Sequence, residues 1–411
     1  MRGSFQGGPV VSKESTVFMD AAQAHQALVE ELARRTHTKA ADWYLVFKAR
    51  YGLEEIFQAV KAVHGSGAVA TQLFTCCTAV APIVAAGLTP VYGDIEAATL
   101  ALDPSRLPQP AMPLRAVVLQ HTFGIIDDRS SAKLAERAHE AGALLVEDSA
   151  HCACRMALDE DGCPVADVSV HSFGAEKMLR TSFGGAVWIN PRSPFKEVLE
   201  PLAASLSQLP PLAPKLEKAT RRYLNQNRVL NRLPRSLARS LRASWAASGA
   251  LEPAVAAAEQ EGELPHRPMA PSPWICERVL SELSRLHENW QSREAVVARY
   301  CELFEAQVDY PAGQGATPAQ PLLRFGLIAP STSASEAAIA AVRSLGYLAE
   351  DWYRPSLYPG ALDPLAFCVP QDPSTLPVCD AVTAGTIALP TELPLEALES
   401  VAQTVKEALK N

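Results

Sequence analysis

Two stretches decide the fold: Ala143-Leu-Leu-Val-Glu-Asp-Ser-Ala-His151 and Val168-Ser-Val-His-Ser-Phe-Gly-Ala-Glu-Lys177. Each opens with residues typical of a buried strand. Asp148 comes where the first strand ends, and Lys177 comes just after the second. Ligands of an open parallel sheet bind at the carboxyl ends of its strands, so both side chains are expected to reach the same crevice.

A lysine and a carboxylate in one crevice are the pair that pyridoxal 5'-phosphate requires. The lysine supplies the amine for the imine link and later moves the proton at the substrate α-carbon. The carboxylate keeps the pyridine nitrogen protonated, which preserves the ring as an electron sink. We therefore predict that Lys177 carries this cofactor, with its pKa lowered if its neighbours are apolar or cationic.

The flanking sequence alternates strand-like and helix-like segments. Strands are predicted at 68–74, 89–92, 115–121, 143–147, 165–173 and 186–189. Helices are predicted at 53–64, 78–86 and 131–141, and Gly87 and Gly142 are stop signals for the last two. Strands separated by helices of about ten residues indicate βαβ units. We predict an α/β fold with a mostly parallel central sheet flanked by helices.

The sequence changes character after Asn190. Residues 194–247 are typical of helices broken by proline-rich turns, and one long helix is predicted from Pro273 to about Phe304. An amphipathic stretch follows at 394–409. These changes predict an N-terminal tag or disordered segment (1–16), a large domain (17–265) and a smaller C-terminal α+β domain (266–411). Residues 194–265 form a divergent basic helical insert in the large domain.

The basic part of this insert, residues 215–242, has two open interpretations. Its charges form either a solvated helical face or an anion-binding surface for a diphosphate, an acidic partner or a membrane. Nine cationic side chains are opposed by one acidic residue, Glu217: Lys215, Lys218, Arg221, Arg222, Arg228, Arg232, Arg235, Arg239 and Arg242.

The composition is that of an ordinary globular protein. The chain has 411 residues, is 48% hydrophobic and has a formal net charge of −8, which argues against a molecule built to coat nucleic acid. The first residues lack the apolar core of a signal peptide, and the longest apolar run, 76–88, is too short to span a bilayer. A cytoplasmic protein with no membrane span is expected.

Nine cysteines are scattered along the chain, and reduced thiols are the expected state. His151, Cys152, Cys154 and Cys163 have side chains suited to a metal site. Zinc sites generally pair two Cys-x-x-Cys units, however, and no second unit is present in the sequence. We favour small buried side chains over a metal centre.

The motifs resemble those of the DegT/DnrJ/EryC1/StrS family of sugar aminotransferases. The family pattern E-D-x-A-Q/H, S-F, K and G-G is matched by Glu147-Asp148-Ser149-Ala150-His151, Ser172-Phe173, Lys177 and Gly184-Gly185. The resemblance implies a fold-type-I pyridoxal phosphate transferase, in which Lys177 forms the imine link and Asp148 holds the pyridine nitrogen. It also implies that His151 lies near the ring hydroxyl and that Ser172 binds the phosphate.

Several family features differ in this chain. Tyr51-Gly52-Leu53 stands where the family has a Gly-Thr turn, so Gly52 and Leu53 are expected to open the helix that binds phosphate through backbone N–H groups. The family's ring-stacking aromatic corresponds to Cys76, and Phe74 is close enough to replace it. His266-Arg267-Pro268-Met269 replaces a segment whose asparagine reaches the neighbouring subunit's phosphate. Arg267 and Arg354 are candidates for anionic substrate groups or for surface ion pairs.

Three functions compete. The resemblance implies a homodimeric aminotransferase that moves an amino group from glutamate or glutamine to a keto-sugar, usually nucleotide-linked. A sugar dehydratase or lyase would keep the cofactor, but related dehydratases replace the lysine with histidine, and Lys177 is intact. The third function is a catalytically degenerate homologue that acts as a structural or regulatory partner. The altered phosphate turn and the basic segment give this last alternative some weight, but the intact Lys177 favours the aminotransferase.

Overall fold

The chain folds around a seven-stranded sheet. The computed structural model describes residues 20–305 and 307–410, so the predicted N-terminal tag, residues 1–16, lies outside the described residues. The strands are β1 (Trp43–Val46), β2 (Ala68–Thr71), β3 (Thr89–Tyr92), β4 (Leu114–Gln120), β5 (Leu144–Asp148), β6 (Val168–Ser172) and β7 (Gly185–Ile189). Their order across the sheet is β1-β7-β6-β5-β4-β2-β3.

Strand direction confirms the mostly parallel sheet. Strands β2 to β6 pair in parallel, whereas β7 is antiparallel to both of its neighbours, β6 and β1. Strand β1 therefore runs in the same direction as β6. Val46 and Ser172 both pair with Gly185, so the carboxyl ends of β1 and β6 lie at the same edge of the sheet.

Helices cover the sheet and continue into the second half of the chain. They are α1 (Ala21–Thr36), α2 (Ala49–His64), α3 (Cys77–Ala85), α4 (Asp128–Glu140), α5 (Lys196–Ser207), α6 (Pro214–Leu230), α7 (Arg235–Ala247), α8 (Ala257–Gln260), α9 (Pro273–Leu283), α10 (Leu286–Phe304), α11 (Thr332–Ser344), α12 (Pro377–Gly385) and α13 (Leu398–Ala408). A two-stranded antiparallel sheet, β8 (Arg324–Ile328) and β9 (Thr386–Pro390), packs with α11. The proposed domain division at residue 265 stays a prediction.

The central sheet is buried on both faces. In β4, Ala116 and Val118 belong to a core that includes the apolar face of α2, whereas Val117 belongs to a second core with Leu134 and Ala138 of α4. Side chains alternate between the faces of a strand, so an uninterrupted apolar run is what a sheet covered on both sides requires.

Gly52 brings α2 close to the sheet. A Cβ atom at this position would lie 2.6 Å from Val187 Cγ2 of β7. Valine has little freedom to move in a strand. We expect Gly52→Ala to lower the free energy of unfolding by roughly 1–3 kcal/mol through overpacking. Denaturant titration measures this, and Gly315→Ala is the control because its nearest contact would lie at an ordinary 3.9 Å. Equal stability of the two variants would contradict the packing role.

The single long helix predicted from Pro273 to Phe304 is wrong, because the chain breaks at Ser284 and Arg285 into α9 and α10. The two helices bury their apolar faces against different neighbours: α9 packs on α1, and α10 packs mainly on α13. One straight helix cannot direct its apolar face toward both, so the break follows from tertiary packing.

The basic segment forms α6 and α7, as predicted. Its cationic side chains with a described position are exposed. Within residues 20–305 and 307–410, no helix combines the length and the apolar character needed to cross a bilayer. All nine cysteines lie in the described part of the chain and carry free thiols.

Candidate active site

A cavity lies at the carboxyl edge of the sheet, where β4, β5 and β6 end. Asp148 and Lys177 were expected to reach one crevice, and both line this cavity. Four more of the predicted residues also line the cavity: Leu53, Cys76, His151 and Ser172.

Lys177 stands on the hairpin between β6 and β7. The amide of Phe173 donates to the carbonyl oxygen of Gly184 at 2.8 Å, and the amide of Ala175 donates to Ser182 at 3.0 Å. The lysine's own amide donates to Gly174 at 3.0 Å. These hydrogen bonds fix the backbone at Lys177, so the position of the amine depends on the torsion angles of the side chain.

The amine of Lys177 lies 3.0 Å from Nε2 of His151. The opposite ring nitrogen, Nδ1, accepts a hydrogen bond of 3.0 Å from the backbone amide of Phe123, which places the imidazole proton on Nε2. Burial lowers the pKa of His151 well below its ordinary value, so the ring is neutral at pH 7. The Nε2 proton faces two groups at 3.0 Å, the Lys177 amine and the Tyr353 hydroxyl, and either oxygen or uncharged nitrogen can accept it.

Electrostatics act on the charge of the lysine. Burial lowers the pKa of Lys177, although the negative charges of Cys76 and Asp148 oppose the shift. A neutral amine is the nucleophilic form of lysine. Burial thus shifts Lys177 toward the form that attacks a carbonyl.

The backbone at Phe123 is held in an uncommon conformation. Its φ of 58° lies in the left-handed region, which a bulky side chain rarely occupies. The same residue donates its amide to His151. Strain of this kind persists where the surrounding structure requires it, and here it orients the amide that fixes the histidine tautomer.

Aromatic rings enclose the histidine. The hydroxyl of Tyr353 lies 3.0 Å from His151 Nε2, and burial raises the tyrosine pKa well above its ordinary value. The ring of Trp352 stacks on the imidazole at 5.9 Å, and the amine of Lys177 lies 5.8 Å from the Trp352 ring centre. This apolar surrounding contributes to the desolvation that lowers the pKa values of both the histidine and the lysine.

Asp148 ends β5 inside the cavity. One carboxylate oxygen accepts a hydrogen bond of 3.0 Å from the amide of Ala150. Burial raises the pKa of Asp148, while this amide and the Lys177 charge act in the opposite direction. A protonated ring nitrogen placed against Asp148 would supply the cation that a buried carboxylate needs.

A second buried pair lies beside Asp148. His121 Nε2 is 2.8 Å from Glu147 Oε1, and the same oxygen accepts from the amide of Ala157 at 2.7 Å. Burial acts to raise the pKa of Glu147, but His121 and this amide lower it overall. His121 also lines the cavity, so the pair fixes one wall.

The start of α2 lies earlier in the sequence than the motifs predict, and its residues line the cavity. The helix begins at Ala49, and Lys48, Ala49 and Arg50 line the cavity together with Leu53. Gly52 does not line the cavity, because it faces Val187 of the sheet. The phosphate-binding role predicted for Gly52 thus lacks a position in the cavity, and the helix start lies three residues earlier.

Two ion pairs join the start of α2 to residues 251–262, which we call the strap. Lys48 Nζ lies 2.5 Å from Glu252 Oε1, with both side chains 6% exposed. Arg50 pairs with Glu259, whose side chain is fully buried. The strap residues Ala254 and Val255 line the cavity. A segment distant in sequence therefore covers this end of the site.

Three further candidates lie outside the cavity lining. Phe74 is buried with its ring 5.4 Å from that of Tyr353, whereas Cys76 itself lines the cavity. Arg354 donates to Ser335 Oγ at 3.0 Å and to the carbonyl oxygen of Ala384 at 2.9 Å, and Arg267 is exposed. Neither arginine lines the cavity.

The donor set fits pyridoxal 5'-phosphate. An amine with a lowered pKa, a buried carboxylate and a helix start with two cations meet the needs of its aldehyde, ring nitrogen and phosphate. Lys177, Asp148 and the start of α2 would hold these three parts. Ser172 also lines the cavity and is free to donate its hydroxyl to a phosphate oxygen.

The fold is that of the fold-type-I pyridoxal phosphate-dependent transferases. Residues 48–198 match the model of the DegT/DnrJ/EryC1/StrS aminotransferase family. The match covers less than half of the chain. The matched region holds all four motif elements that carried the resemblance in the sequence.

One relative is similar over about a third of the chain. The spore coat polysaccharide biosynthesis protein SpsC of Bacillus subtilis (strain 168) is 31% identical over 133 residues, which is 32% of this chain. The match spans about a third of that relative, 34% of its length.

Solved structures match along nearly the whole chain. PseC of Helicobacter pylori, an aminotransferase of pseudoaminic acid biosynthesis, has a TM-score of 0.69 at 15% identity and covers 98% of both chains. The PLP form of the putative sugar aminotransferase Spr1654 of Streptococcus pneumoniae has a TM-score of 0.67 at 18% identity, covering 96% of this chain and 93% of that one. At these identities the similarity shows the fold.

Proposed function

We propose that this protein is a pyridoxal 5'-phosphate-dependent aminotransferase that moves an amino group from glutamate or glutamine to a keto-sugar. The observation that carries the proposal is the half-buried Lys177 amine 3.0 Å from a neutral His151, in a cavity that also contains Asp148. The match of residues 48–198 to the model of an aminotransferase family supports the same reaction class.

The bound cofactor supplies the electron sink that allows a proton to leave the α-carbon of the amino donor. Lys177 would provide the amine that holds the cofactor and would then move this proton. Asp148 would keep the ring nitrogen protonated, and His151 positions the lysine amine and the Tyr353 hydroxyl, which both lie 3.0 Å from its Nε2. The rings of Trp352 and Tyr353 stack on His151 and shield it from water.

The keto-sugar acceptor is supported by the relatives. SpsC is a polysaccharide biosynthesis protein, and DesI has been crystallised with its TDP-sugar product. We propose a nucleotide-linked keto-sugar as the acceptor and a place in sugar biosynthesis.

We also propose a cytoplasmic homodimer. The free thiols of all nine cysteines suit a reducing compartment. Light scattering coupled to gel filtration tests the dimer, and a single species with the mass of one chain would contradict it.

The test of the function is a half-reaction. Purified protein with pyridoxal 5'-phosphate should show a visible absorbance band that glutamate or glutamine converts to that of the aminated cofactor. Nucleotide-linked keto-sugars should then restore the first band, each with one equivalent of aminated sugar by mass spectrometry. A protein that binds the cofactor but reacts with neither donor would contradict the aminotransferase. A release of water from the sugar without amino transfer would identify a dehydratase instead.

A further inference from the structure

Two cations stand at the start of α2, where the cavity is lined by Lys48 and Arg50. Both are withdrawn from solvent, with side chains 6% and 15% exposed. Lys48 also lies 4.5 Å from the ring centre of Phe183, another lining residue. Cations in such a place need counter-ions, because a buried unpaired charge costs several kcal/mol.

The strap supplies these counter-ions. Glu252 accepts from Lys48, and Glu259 accepts from Arg50. Backbone carbonyls of the strap add to the contact: Pro253 accepts from Lys48 at 3.1 Å, and Ala254 accepts from Arg50 at 2.8 Å. Two carboxylates therefore balance two cations at the end of the cavity that suits a phosphate.

A phosphate monoester could take the place of the two carboxylates without changing the charge balance. Two carboxylates carry two negative charges, and a phosphate monoester carries about 1.5 to 2 at pH 7. The exchange would thus leave Lys48 and Arg50 neutralised in both states. Arginine and lysine are the side chains that bind phosphate most readily.

Each strap carboxylate keeps a second partner if it leaves its cation. The other oxygen of Glu252 lies 3.1 Å from His266 Nε2, on a ring that is 30% exposed. The other oxygen of Glu259 accepts from the amide of Ala256 at 2.6 Å, within the strap itself. The retained donor offsets part of the cost of losing the cation, and movement of the strap toward water offsets the rest.

We propose that Lys48 and Arg50 bind the phosphate of the cofactor, and that Glu252 and Glu259 hold the site in the absence of phosphate and yield it when phosphate binds. The inference rests on the proposed function, since it assigns residues to one end of the same cofactor. The strap is then displaced by binding, together with the cavity-lining residues Ala254 and Val255. This arrangement uses cations of the same chain where the sequence lacks the Gly-Thr turn.

Affinity measurements distinguish exchange of the strap carboxylates for phosphate from a purely structural role of the two ion pairs. Pyridoxal 5'-phosphate, pyridoxal and inorganic phosphate are titrated into the full-length apo protein. Arg50→Gln should weaken binding of pyridoxal 5'-phosphate by at least about tenfold, because a charge-assisted hydrogen bond is lost, and should leave pyridoxal binding unchanged. Glu259→Gln should strengthen binding of pyridoxal 5'-phosphate and inorganic phosphate, because the competing charge is removed. If Glu259 only positions Arg50, the same variant weakens both.

The exposed pair Arg137 and Glu140 of α4 provides matched controls, since neither residue lines the cavity. Arg137→Gln and Glu140→Gln should change no affinity. Hydrogen exchange of the strap should increase when either phosphate compound binds. Lys48→Gln provides a second test of the cations if Arg50→Gln does not fold, as judged by circular dichroism.

The outcomes are distinct. The exchange is overturned if Glu259→Gln binds phosphate more weakly than the wild-type protein. It is also overturned if Arg50→Gln loses the same affinity for pyridoxal as for pyridoxal 5'-phosphate. Pyridoxal that attaches to Lys177 with no added affinity from its phosphate overturns the inference and leaves the proposed function standing. A protein that binds neither aldehyde nor phosphate overturns both.

Discussion

Replacement of Lys177 by alanine should abolish the covalent link to pyridoxal 5'-phosphate and lower amino transfer by about 10³-fold or more, because one side chain both holds the cofactor and moves the proton. The visible band of the holoenzyme should disappear. Borohydride should fix the cofactor to Lys177 in the wild-type protein and to no residue in the variant, as peptide mass spectrometry would show. Lys133→Ala, which removes an exposed lysine of α4, should retain the band and full activity.

Lys177 should also leave a signature in stability. Burial depresses its pKa in the folded protein below the ordinary 10.5. Between the depressed value and 10.5 the unfolded chain binds more protons than the folded chain, so stability of the apo protein rises with pH across this window. Lys177→Met should remove this part of the pH dependence and raise the apo melting temperature. A variant with the wild-type pH profile would show that the lysine is not desolvated.

Replacement of Asp148 by asparagine should have the second-largest effect. The amide cannot keep the ring nitrogen protonated, so the rate of the glutamate half-reaction should fall by about 10²–10³-fold, as when a preorganised electrostatic partner is removed. The visible band should remain, because Lys177 is intact, but its pH dependence should change. Stopped-flow absorbance measures both.

Asp167 provides the matched control for Asp148. It is a buried carboxylate just before β6, at the opposite end of the sheet, and accepts from the amide of Leu145 at 2.7 Å. Asp167→Asn should lower stability but leave the half-reaction of the folded protein unchanged. Equal losses of half-reaction rate in both variants would mean that the Asp148 effect is one of folding.

The central site could be predicted because its residues follow strands. Asp148 and Lys177 come at the ends of β5 and β6, and a parallel sheet brings such ends together. Lys48 and Arg50 also come shortly after a strand, β1, but this strand is not predicted from the sequence. β1 is only four residues long and gives a weak sequence signal. The predicted helix therefore begins at residue 53, whereas α2 begins at Ala49.

Other parts of the site have no local signature. Glu252 and Glu259 lie about two hundred positions from the cations that they contact, and nothing in their own sequence distinguishes them from surface carboxylates. The His151 tautomer depends on the backbone amide of Phe123, whose left-handed conformation is imposed by its surroundings. The break between α9 and α10 likewise depends on neighbours that are remote in sequence.

The exposed cations of α6 and α7 have a kinetic consequence. Tyr223 of α6 lines the cavity, so the basic helix borders the site although the chain as a whole carries a net charge of −8. A local positive potential attracts anions from bulk solution and speeds their encounter with the protein. Ionic strength then acts on the capture of charged substrates, while the steps inside the cavity, shielded from salt, keep their rates.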